Sequence, residues 1–450
     1  IVSSNGDLKI TGSGFDDFVV LEDGLDALDT ADGGAGTQDL LGFGNSTSLN
    51  DAAFASVKNF EILATGTNST LTLDLGANAL AAGVNTVSAF GSNNVFDNGG
   101  MLDVNVQAAF TGPLTVNLDA TFPGDPLPVH DGNHFVDGTA MTGKLTVNAL
   151  SDSVDSKDTL RGGTGTTDEL VLTANGDAPA DNGKNNAGET HLDNVSGFET
   201  ITVKAGAGAN ASKDAIIFTS DTTIDTGKTL TVDATALTNN GASLRYYGSS
   251  ETDATSAQKV TGGNGADTIL GGDGNDVLKG GSGADFLGGA GVFSPSATGG
   301  DDTIDGGIGD DIIGFGSKHL GAKDSVDGGT GTDTLQVYDF DALGETFADA
   351  QFAGVKSVEI ISGAKNNAII DNGVFFVTND VALNLTLGAS AKAMGLTTVT
   401  TGGEADTITV GAAFDNALTV NLGAGTDKVT SAATGALTIA ANASDINGDT

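Results

Sequence analysis

Aspartate and glycine recur together at a fixed spacing in the middle of the chain. Gly262–Leu270 reads GGNGADTIL, Gly271–Lys279 reads GGDGNDVLK and Gly280–Gly288 reads GGSGADFLG. These are consecutive, in-register copies of G-G-x-G-x-D-x-U-x, where U is a large apolar residue. Calcium prefers about six to eight hard oxygen ligands. A glycine-rich loop can aim several backbone carbonyls at one point, and its Asp supplies the charge. The pattern therefore predicts calcium sites.

The motif continues beyond an interruption. The insertion Val292–Thr298 breaks a fourth copy, and the pattern resumes at Gly299 with GGDDTID. It then runs through Gly306–Gly314 (GGIGDDIIG) and returns at Gly328–Gln336 (GGTGTDTLQ). We expect the aspartates of these copies to bind calcium as well.

Three half-motifs are less specific. They are Thr11–Phe18 (TGSGFDDF), Gly402–Ile408 (GGEADTI) and Gly423–Val429 (GAGTDKV). Each is either a calcium site or a glycine turn with an exposed Asp, and the sequence leaves both interpretations open. Two further turns depart from the motif, because Gln38 and Thr167 stand where the Asp belongs, with Asp168 one place late. We interpret those two turns as bends that have lost the metal.

The candidate calcium ligands combine the loop residues of the nonapeptides, the half-motif aspartates and the aspartates that open the longer repeats described below. They are Gly262, Asn264, Gly265, Asp267, Gly271, Asp273, Gly274, Asp276, Gly280, Ser282, Gly283, Asp285, Asp302, Gly306, Gly309, Asp311, Asp324, Gly328, Gly331, Asp333, Asp16, Asp29, Asp158, Asp406 and Asp427.

Short strands must position these loops. The triplet after each Asp, such as TIL or VLK, predicts a strand whose apolar residue points inward. Two nonapeptides would form one turn of a flattened solenoid, so Asp267 and Asp285 would share one edge and Asp276 would lie on the other. The predicted thin core consists of Ile269, Leu278, Leu287, Ile304, Ile313 and Leu335. Such a core is too narrow to be stable alone, so we expect calcium to be part of the fold.

A longer repeat spans the rest of the chain. Its opening appears at Asp29 (DTADGGAGTQDLL), Asp158 (DTLRGGTGTTDELVL) and Asp324 (DSVDGGTGTDTLQV). Each opening is followed by a V-x-x-F-E-x-I-like segment: VKNFEI, VSGFETI or VKSVEI. Internal periods of this kind indicate a solenoid. We therefore predict an all-β, parallel β-roll or β-helix fold divided into 1–149, 150–259, a nonapeptide β-roll at 260–320, and 321–450.

Strand and turn signals dominate throughout these modules. Predicted strands include Thr70–Leu75, Leu114–Leu118, Thr229–Val232, Ala382–Leu387 and Leu418–Leu422. Two matching segments are ambiguous between a short helix and a corner between strands; they are Gly76–Gly83 and Gly388–Gly395.

Composition restricts the class of protein. The 450 residues include 59 acidic and 18 basic side chains, for a net charge of -41, so nucleic acid and anionic membranes are unsuitable partners. There are 68 Gly and no Cys, which excludes disulfides and thiolate metal sites. No apolar run is long enough to span a membrane. The first residue is Ile and no signal peptide is visible, which suggests a processed or truncated start.

Other chemical constellations are weak. His130 and His134 have the i, i+4 spacing of a zinc pair, but Gly132 between them and the neighbouring prolines favour a polar loop. The chain has no HExxH, no G-x-S-x-G and no phosphate-binding loop. A carboxylate pair for glycoside hydrolysis cannot be dismissed from sequence, although Trp is absent and Tyr is scarce. Tyr246–Tyr247 is more consistent with a strand than with a sugar platform.

The nonapeptides resemble those of RTX proteins, the calcium-binding proteins that Gram-negative bacteria export by type I secretion. The GG-x-GTD-x-L turn, the V-x-x-F-E-x-I segment and the Thr/Asn/Ala-rich strands resemble the lattice-forming part of RTX-type S-layer proteins of alphaproteobacteria. This resemblance implies Ca²⁺ as the cofactor, an extracellular location at the cell surface, and copies of the chain itself as partners. A cell-surface polysaccharide is a second candidate partner.

Three hypotheses remain from the sequence. The first is a self-assembling surface protein that forms a sheet or filament and is not an enzyme. The second is an RTX adhesin or biofilm-matrix protein, with Phe122–Phe135 and Val292–Thr298 as ligand-facing loops. The third is an enzyme whose catalytic part lies within residues 100–250.

Overall fold

The structure is a computed structural model in which strands and tight turns alternate along nearly the whole chain. The described residues are 7–22, 24–66, 68–90, 100–120, 133–165, 167–175, 189–207, 211–248, 250–289, 300–338, 344–363, 369–371, 374–376 and 380–441. The insertion Val292–Thr298, residue His130 and most of the Phe122–Phe135 segment lie outside them. No described helix is long and apolar enough to cross a bilayer.

The chain forms two compact units. Unit 1 comprises Ile1–Asn175, Gly188–Lys204 and Thr222–Asp225. Unit 2 comprises Gly176–Ala187, Ala205–Asp221 and Thr226–Thr450. In both units, strands that are one coil apart in the sequence pair in parallel, which is the arrangement of a β-solenoid. The predicted all-β solenoid is therefore confirmed, whereas the four domain boundaries remain a prediction.

Unit 1 contains three parallel sheets. The first consists of Lys9–Thr11, Thr30–Asp32 and Val57–Lys58. The second consists of Thr47–Leu49, Thr70–Leu75, Met101–Val106, Phe135–Asp137, Thr159–Arg161 and Val195–Ser196. The third includes Phe18–Leu21, Leu40–Phe43, Ile62–Thr65, Thr86–Phe90, Leu114–Ala120, Leu145–Leu150, Glu169–Thr173 and Thr200–Lys204. Glu189–His191 is a further short strand.

Unit 2 is built in the same way. One sheet includes Thr229–Asp233, Ala257–Thr261, Val277–Ser282, Thr303–Ile308, Ser325–Thr330 and Val355–Lys356. The opposite sheet includes Ala215–Phe218, Leu244–Tyr247, Thr268–Leu270, Phe286–Gly288, Ile312–Phe315, Thr334–Val337, Ile360–Ser362, Thr398–Thr400, Leu418–Leu422 and Leu437–Ala441. A third consists of Glu345–Phe347, Leu383–Leu387, Thr407–Val410 and Lys428–Ser431. Ile369–Asp371 and Val374–Phe376 pair antiparallel.

The pitch of the nonapeptide coils agrees with two motifs per turn. Thr268 pairs with Phe286 on one wall and Lys259 with Val277 on the other. The backbone N–H of Asp267 reaches a carboxylate 18 residues later, and later coils lengthen to 26 and 22 residues. Strand register is preserved through these changes of coil length, because the additional residues are taken up between strands.

The core is a thin apolar layer between the walls. All six predicted core residues are at most 1% exposed: Ile269, Leu278, Leu287, Ile304, Ile313 and Leu335. Tyr246 joins this core, whereas its neighbour Tyr247 points to the other side of the strand and stacks on Phe218 at 4.7 Å. The tyrosine pair is therefore part of a strand, as expected from the alternation of side chains.

Both segments that were ambiguous between helix and corner are helical. The α-helices are Ala77–Ala81 and Ala389–Ala393, and 3₁₀-helices span Asp51–Phe54 and Asp349–Gly354. The two α-helices occupy matching places in the first and last modules. Their equivalence supports the long repeat that the sequence indicates.

Candidate calcium-binding site

One row of buried aspartates follows a wall of unit 2. We call Asp267, Asp285, Asp311 and Asp333 the first aspartate column. Each stands directly before a strand. Its Oδ1 accepts the backbone N–H of the residue at the same position one coil earlier. The distances from donor nitrogen to Oδ1 are 2.6 Å for Leu244 to Asp267, 2.7 Å for Asp267 to Asp285, 2.8 Å for Asp285 to Asp311 and 2.9 Å for Asp311 to Asp333.

A second column lies along the opposite wall. The N–H groups of Gln258, Asp276 and Asp302 donate to Oδ1 of Asp276, Asp302 and Asp324 at 2.7, 2.9 and 2.8 Å. Asp267 and Asp285 thus share one edge while Asp276 lies on the other, as the two-motif coil predicts. The column carboxylates are at most 3% exposed and do not point into bulk water.

The second carboxylate oxygen, Oδ2, is the candidate calcium ligand. Oδ2 of Asp285, Asp311 and Asp333 is buried and has no hydrogen-bond partner among the described residues. A buried, unpaired carboxylate oxygen is strongly unfavourable unless a cation neutralises it. These orphaned oxygens therefore fit a bound calcium ion.

The first glycine of each loop makes room for this oxygen. A Cβ placed on Gly280 would lie 2.3 Å from Oδ2 of Asp285, and one on Gly306 would lie 2.5 Å from Oδ2 of Asp311. Gly262, Gly271 and Gly328 have the same relationship to Asp267, Asp276 and Asp333, at 2.2, 2.2 and 2.6 Å. Any larger residue would displace the carboxylate from the loop.

The loops also stack closely through their backbones. Gly309 has φ of +137° and its Cβ position would be 1.5 Å from the carbonyl oxygen of Gly283. The same glycine of the motif at Gly274, Gly283 and Gly331 also has a positive φ. Among the described residues, no three His, Cys, Asp or Glu side chains cluster as a metal site. Backbone carbonyls are common calcium ligands, and the stacked loops bring those of successive coils close together.

Burial shifts the column carboxyls toward the neutral form when no cation is bound. Desolvation raises the pKa of Asp267 and of Asp285 to about 7 and that of Asp311 to about 6. In the second column, burial and then the nearby Asp302 raise the pKa of Asp276 to about 8. Burial likewise raises the pKa of Asp324 and Asp333. A bound cation would favour the ionised form of these groups.

The remaining loop positions contact the preceding coil, and Asn264, Asp273 and Ser282 among them are half-buried. The N–H of Asp273 donates to the carbonyl of Glu251 at 2.9 Å, and that of Ser282 to Gly263 at 3.0 Å. The Asn264 side-chain amide donates to the carbonyl of Thr238 at 2.9 Å. Gly265 lies against the preceding coil, because its Cβ would be 2.0 Å from the carbonyl of Ala242. These residues shape the loops; calcium ligation by each of them remains a prediction.

The two C-terminal half-motifs form a third, shorter column. Leu383 donates to Oδ1 of Asp406 at 2.7 Å, and Asp406 donates to Oδ1 of Asp427 at 3.0 Å. Both carboxylates are 1% exposed, so these turns do not carry exposed aspartates. Their carboxylates accept backbone N–H groups from the preceding coil, as those of the nonapeptide loops do.

The N-terminal half-motif places Asp17, and not Asp16, at the inward position. Asp16 is exposed, and its Oδ1 accepts N–H groups of Thr37 and Gln38. Asp17, five residues after Gly12, accepts the N–H of Ser13 at 2.5 Å. Calcium ligation by Asp16 remains a prediction.

The two turns interpreted as having lost the metal each retain a buried aspartate. Asp39 and Asp168, each one place late, are fully buried, and their Oδ1 atoms accept N–H groups of Asp17 and Leu145 at 2.6 and 2.7 Å. Each side chain still reaches the position that the motif aspartate would take, because the turn accommodates the extra residue.

The aspartates that open the long repeats close tight turns. Oδ1 and Oδ2 of Asp29 accept the N–H groups of Leu8 and Asp26 at 2.7 and 2.8 Å. Asp158 accepts those of His134 and Asp155 at 2.7 and 2.9 Å. Asp324, which ends the second column, accepts those of Asp302 and Gly321 at 2.8 and 2.6 Å. Calcium ligation by Asp29 and Asp158 remains a prediction. His134 is buried and its Nδ1 accepts the N–H of Leu102 at 3.2 Å, which is a structural role.

A glutamate that the sequence analysis does not assign follows the last aspartate in three places: the first aspartate column, the row of Asp17 and Asp39, and the single Asp168. Oε2 of Glu61, Glu199 and Glu359 accepts the backbone N–H of Asp39, Asp168 and Asp333 at 2.9, 2.8 and 2.9 Å. Each is the glutamate of a V-x-x-F-E-x-I-like segment. The repeated segment was a signal for it, but the partner lies one coil away and is not visible locally.

Comparison with known proteins identifies the central loops. Residues 260–291 and 296–317 match the family model described as the RTX calcium-binding nonapeptide repeat (4 copies). The comparison with curated proteins and that with solved structures each gave no match. The matched segments contain Asp267, Asp276, Asp285, Asp302 and Asp311. Residues 260–291 and 296–317 are RTX nonapeptide repeats, and such repeats bind Ca²⁺.

Proposed function

We propose that this protein is a calcium-dependent structural protein that assembles with copies of itself at the bacterial cell surface, as an S-layer or a filament. Proteins with RTX repeats are typically secreted by Gram-negative bacteria. The observation that carries the proposal is the use of the buried carboxylates. In the columns they hold one coil to the next through backbone N–H groups, which is a scaffold role.

Extracellular calcium matches this chemistry. Calcium outside a cell is millimolar, and extracellular calcium modules bind with about 10⁻⁴–10⁻³ M affinity. A chain with a net charge of -41 repels itself until cations neutralise its loops. Folding and association would therefore begin together after export.

The outward faces of unit 2 suit lateral packing. Thr398, Thr419 and Thr438 pair directly across three successive coils, as do Thr386, Thr409 and Thr430 on another sheet. These side chains are uncharged and half-buried or exposed. An uncharged and periodic row of side chains can pack against the same row of another copy without burying unpaired charge.

The test is assembly of the purified full-length chain. Calcium at millimolar concentration should produce ordered polymers visible by negative-stain electron microscopy and fast-sedimenting species in the ultracentrifuge. Magnesium at the same ionic strength is the control, because it demands a rigid octahedral shell and should not support the loops. A holo-protein that folds by circular dichroism yet stays monomeric at high concentration would refute the proposal.

An RTX adhesin is the alternative outcome. It would bind cells or glycans in calcium without polymerising. Its candidate loops, Val292–Thr298 and much of Phe122–Phe135, lie outside the described residues.

A further inference from the structure

Two glycine loops of unit 1 lie far outside the matched repeats. They are residues 12–17 (GSGFDD) and 33–39 (GGAGTQD). The second lacks an Asp at the motif position, where Gln38 stands. Neither loop is assigned a metal by the family model, which begins at residue 260.

The carboxylates of these loops nevertheless repeat the pattern of the first aspartate column. Asp17 opens the row, its N–H donates to Oδ1 of Asp39 at 2.6 Å, and the N–H of Asp39 donates to Glu61 at 2.9 Å. This is the relationship that Asp311, Asp333 and Glu359 show in unit 2. The order is therefore aspartate, aspartate, closing glutamate in both units.

Asp39 also has the orphaned oxygen. The residue is 0% exposed, and its Oδ2 has no hydrogen-bond partner among the described residues. Asp285, Asp311 and Asp333 are in the same situation. A carboxylate oxygen left so deep in the loop requires a cation on the same grounds.

The backbone of the two loops stacks as it does in the repeats. Gly34 has φ of +105° and its Cβ would be 1.9 Å from the carbonyl oxygen of Ser13. Gly281 has φ of +111° and the corresponding distance to the carbonyl of Gly263 is 2.4 Å. A Cβ on Gly12 would approach Oδ2 of Asp17 at 2.7 Å, as one on Gly280 approaches Asp285 at 2.3 Å.

We propose that loops 12–17 and 33–39 hold a calcium ion between them. The carboxylates of Asp17 and Asp39 and carbonyls of both loops are the ligands, and Glu61 is a positioning residue that fixes the Asp39 backbone. Asp39, one residue after the motif position that Gln38 occupies, supplies the carboxylate that Gln38 lacks. The inference does not depend on self-assembly.

Asp168 provides the contrast within the chain. It also sits one place late, but no second aspartate loop stacks in its row: Leu145 precedes it and Glu199 follows it. Both of its carboxylate oxygens accept backbone N–H groups, from Leu145 at 2.7 Å and from Gly163 at 2.6 Å. Asp267 in the matched repeats also accepts two backbone N–H groups, but it stacks on Asp285. Asp168 has neither a stacked aspartate nor an orphaned oxygen, so it should hold no ion shared between two aspartate loops.

The test counts calcium ions on the full-length chain by native mass spectrometry at saturating calcium. Asp39→Asn should bind one ion fewer than the wild type, because it removes the charge while keeping the Oδ1 acceptor. The matched variant Asp168→Asn should bind the wild-type number. An unchanged count in Asp39→Asn would overturn the proposal.

Hydrogen exchange and diffraction make the result independent of variant folding. In Asp39→Asn, amide protection should fall in residues 8–66 and persist in 262–338; loss in both segments would mark global unfolding. The decisive measurement is then anomalous scattering from crystals of the calcium-loaded wild type. A peak beside Oδ2 of Asp39 would support the site, and its absence would refute it.

Discussion

Glu359 closes the first aspartate column by accepting the backbone N–H of Asp333 at 2.9 Å. The same bond recurs at Glu61–Asp39 and Glu199–Asp168. The glutamate therefore ends a row of carboxylates whose members each need the next to satisfy their N–H groups. Removal of the glutamate should therefore destabilise the end of the row first.

Glu359→Ala should destabilise this end of the column by about 1–3 kcal/mol, because the N–H of Asp333 loses its acceptor in a buried position. Glu359→Gln keeps an oxygen acceptor and should cost less. Amide exchange at Asp333 in saturating calcium measures the difference. Equal protection in wild type and Glu359→Ala would show that the bond is dispensable.

Removal of calcium should unfold the nonapeptide coils. Their core is one apolar residue per strand, and their orphaned carboxylate oxygens would repel one another. Far-ultraviolet circular dichroism of the chain with excess chelator should lose the part of the β signal that these coils contribute, and excess calcium should restore it. A metal-free chain with full β signal at neutral pH would contradict this prediction.

The stability of the metal-free chain should change with pH in the opposite sense to that of the calcium-loaded chain. Burial raises the pKa of Asp276 to about 8 and those of Asp267 and Asp285 to about 7, whereas an unfolded Asp has a pKa of about 3.9. Protonation therefore favours the folded state: the stabilisation is complete below about pH 4 and is lost as pH rises through 7–8.

Calcium needs the ionised carboxylates, so its affinity should fall as pH falls from 8 toward 6. Calorimetric titration at several pH values, together with circular dichroism of dialysed, metal-free protein, measures both trends. Asp276→Asn should weaken the pH dependence of each. An affinity that is flat between pH 6 and 8 would argue against buried, ionised ligands.

Ser357→Asn should stabilise the last module by about 0.5–1 kcal/mol. Ser357 has φ of +53°, a left-handed conformation that Asn tolerates better than Ser. The equivalent residue of the first module is Asn59, with φ of +56°, whose amide donates to Asp32 at 2.8 Å. The reverse change, Asn59→Ser, should cost a similar amount. Denaturant unfolding in calcium monitors both, and effects of the same sign would refute the explanation.

Asp349→Ala should unwind the helix Ala389–Ala393. Although burial alone would raise it, the pKa of Asp349 is held below its usual value by N–H groups of Ala391, Ser390 and Gly388. These bonds cap the helix from the preceding coil, and caps are worth about 0.5–2 kcal/mol. Amide exchange in residues 388–394 should accelerate, while Asp349→Asn should have a smaller effect. Unchanged exchange would show that the helix is held by packing alone.

Much of the fold was accessible from the sequence because the nonapeptide carries both of its signals locally. The glycines indicate the turn and the apolar residue of the triplet indicates the strand. Their spacing predicts the 18-residue coil. The same pattern placed Asp267 and Asp276 on opposite edges. It worked because every member of the motif acts within nine residues of the others.

The contacts that the sequence does not predict share a different cause. The inward positions of Asp17, Asp39 and Asp168 do not follow from the motif alignment, because a turn can accommodate one extra residue and still bring the carboxylate to the same point. Glu61 and Asp349 were missed because their partners lie a coil or more away, and local capping rules do not reach that far. Three-dimensional stacking, not sequence proximity, decides these contacts.

The unequal length of the coils has a consequence for how such a chain can change. Coils of 18, 26 and 22 residues follow one another while the strands remain in register. A segment added between two strands therefore leaves its neighbours undisturbed. Segments between strands can therefore change in length and sequence, or carry a grafted epitope, without altering the packing of the core.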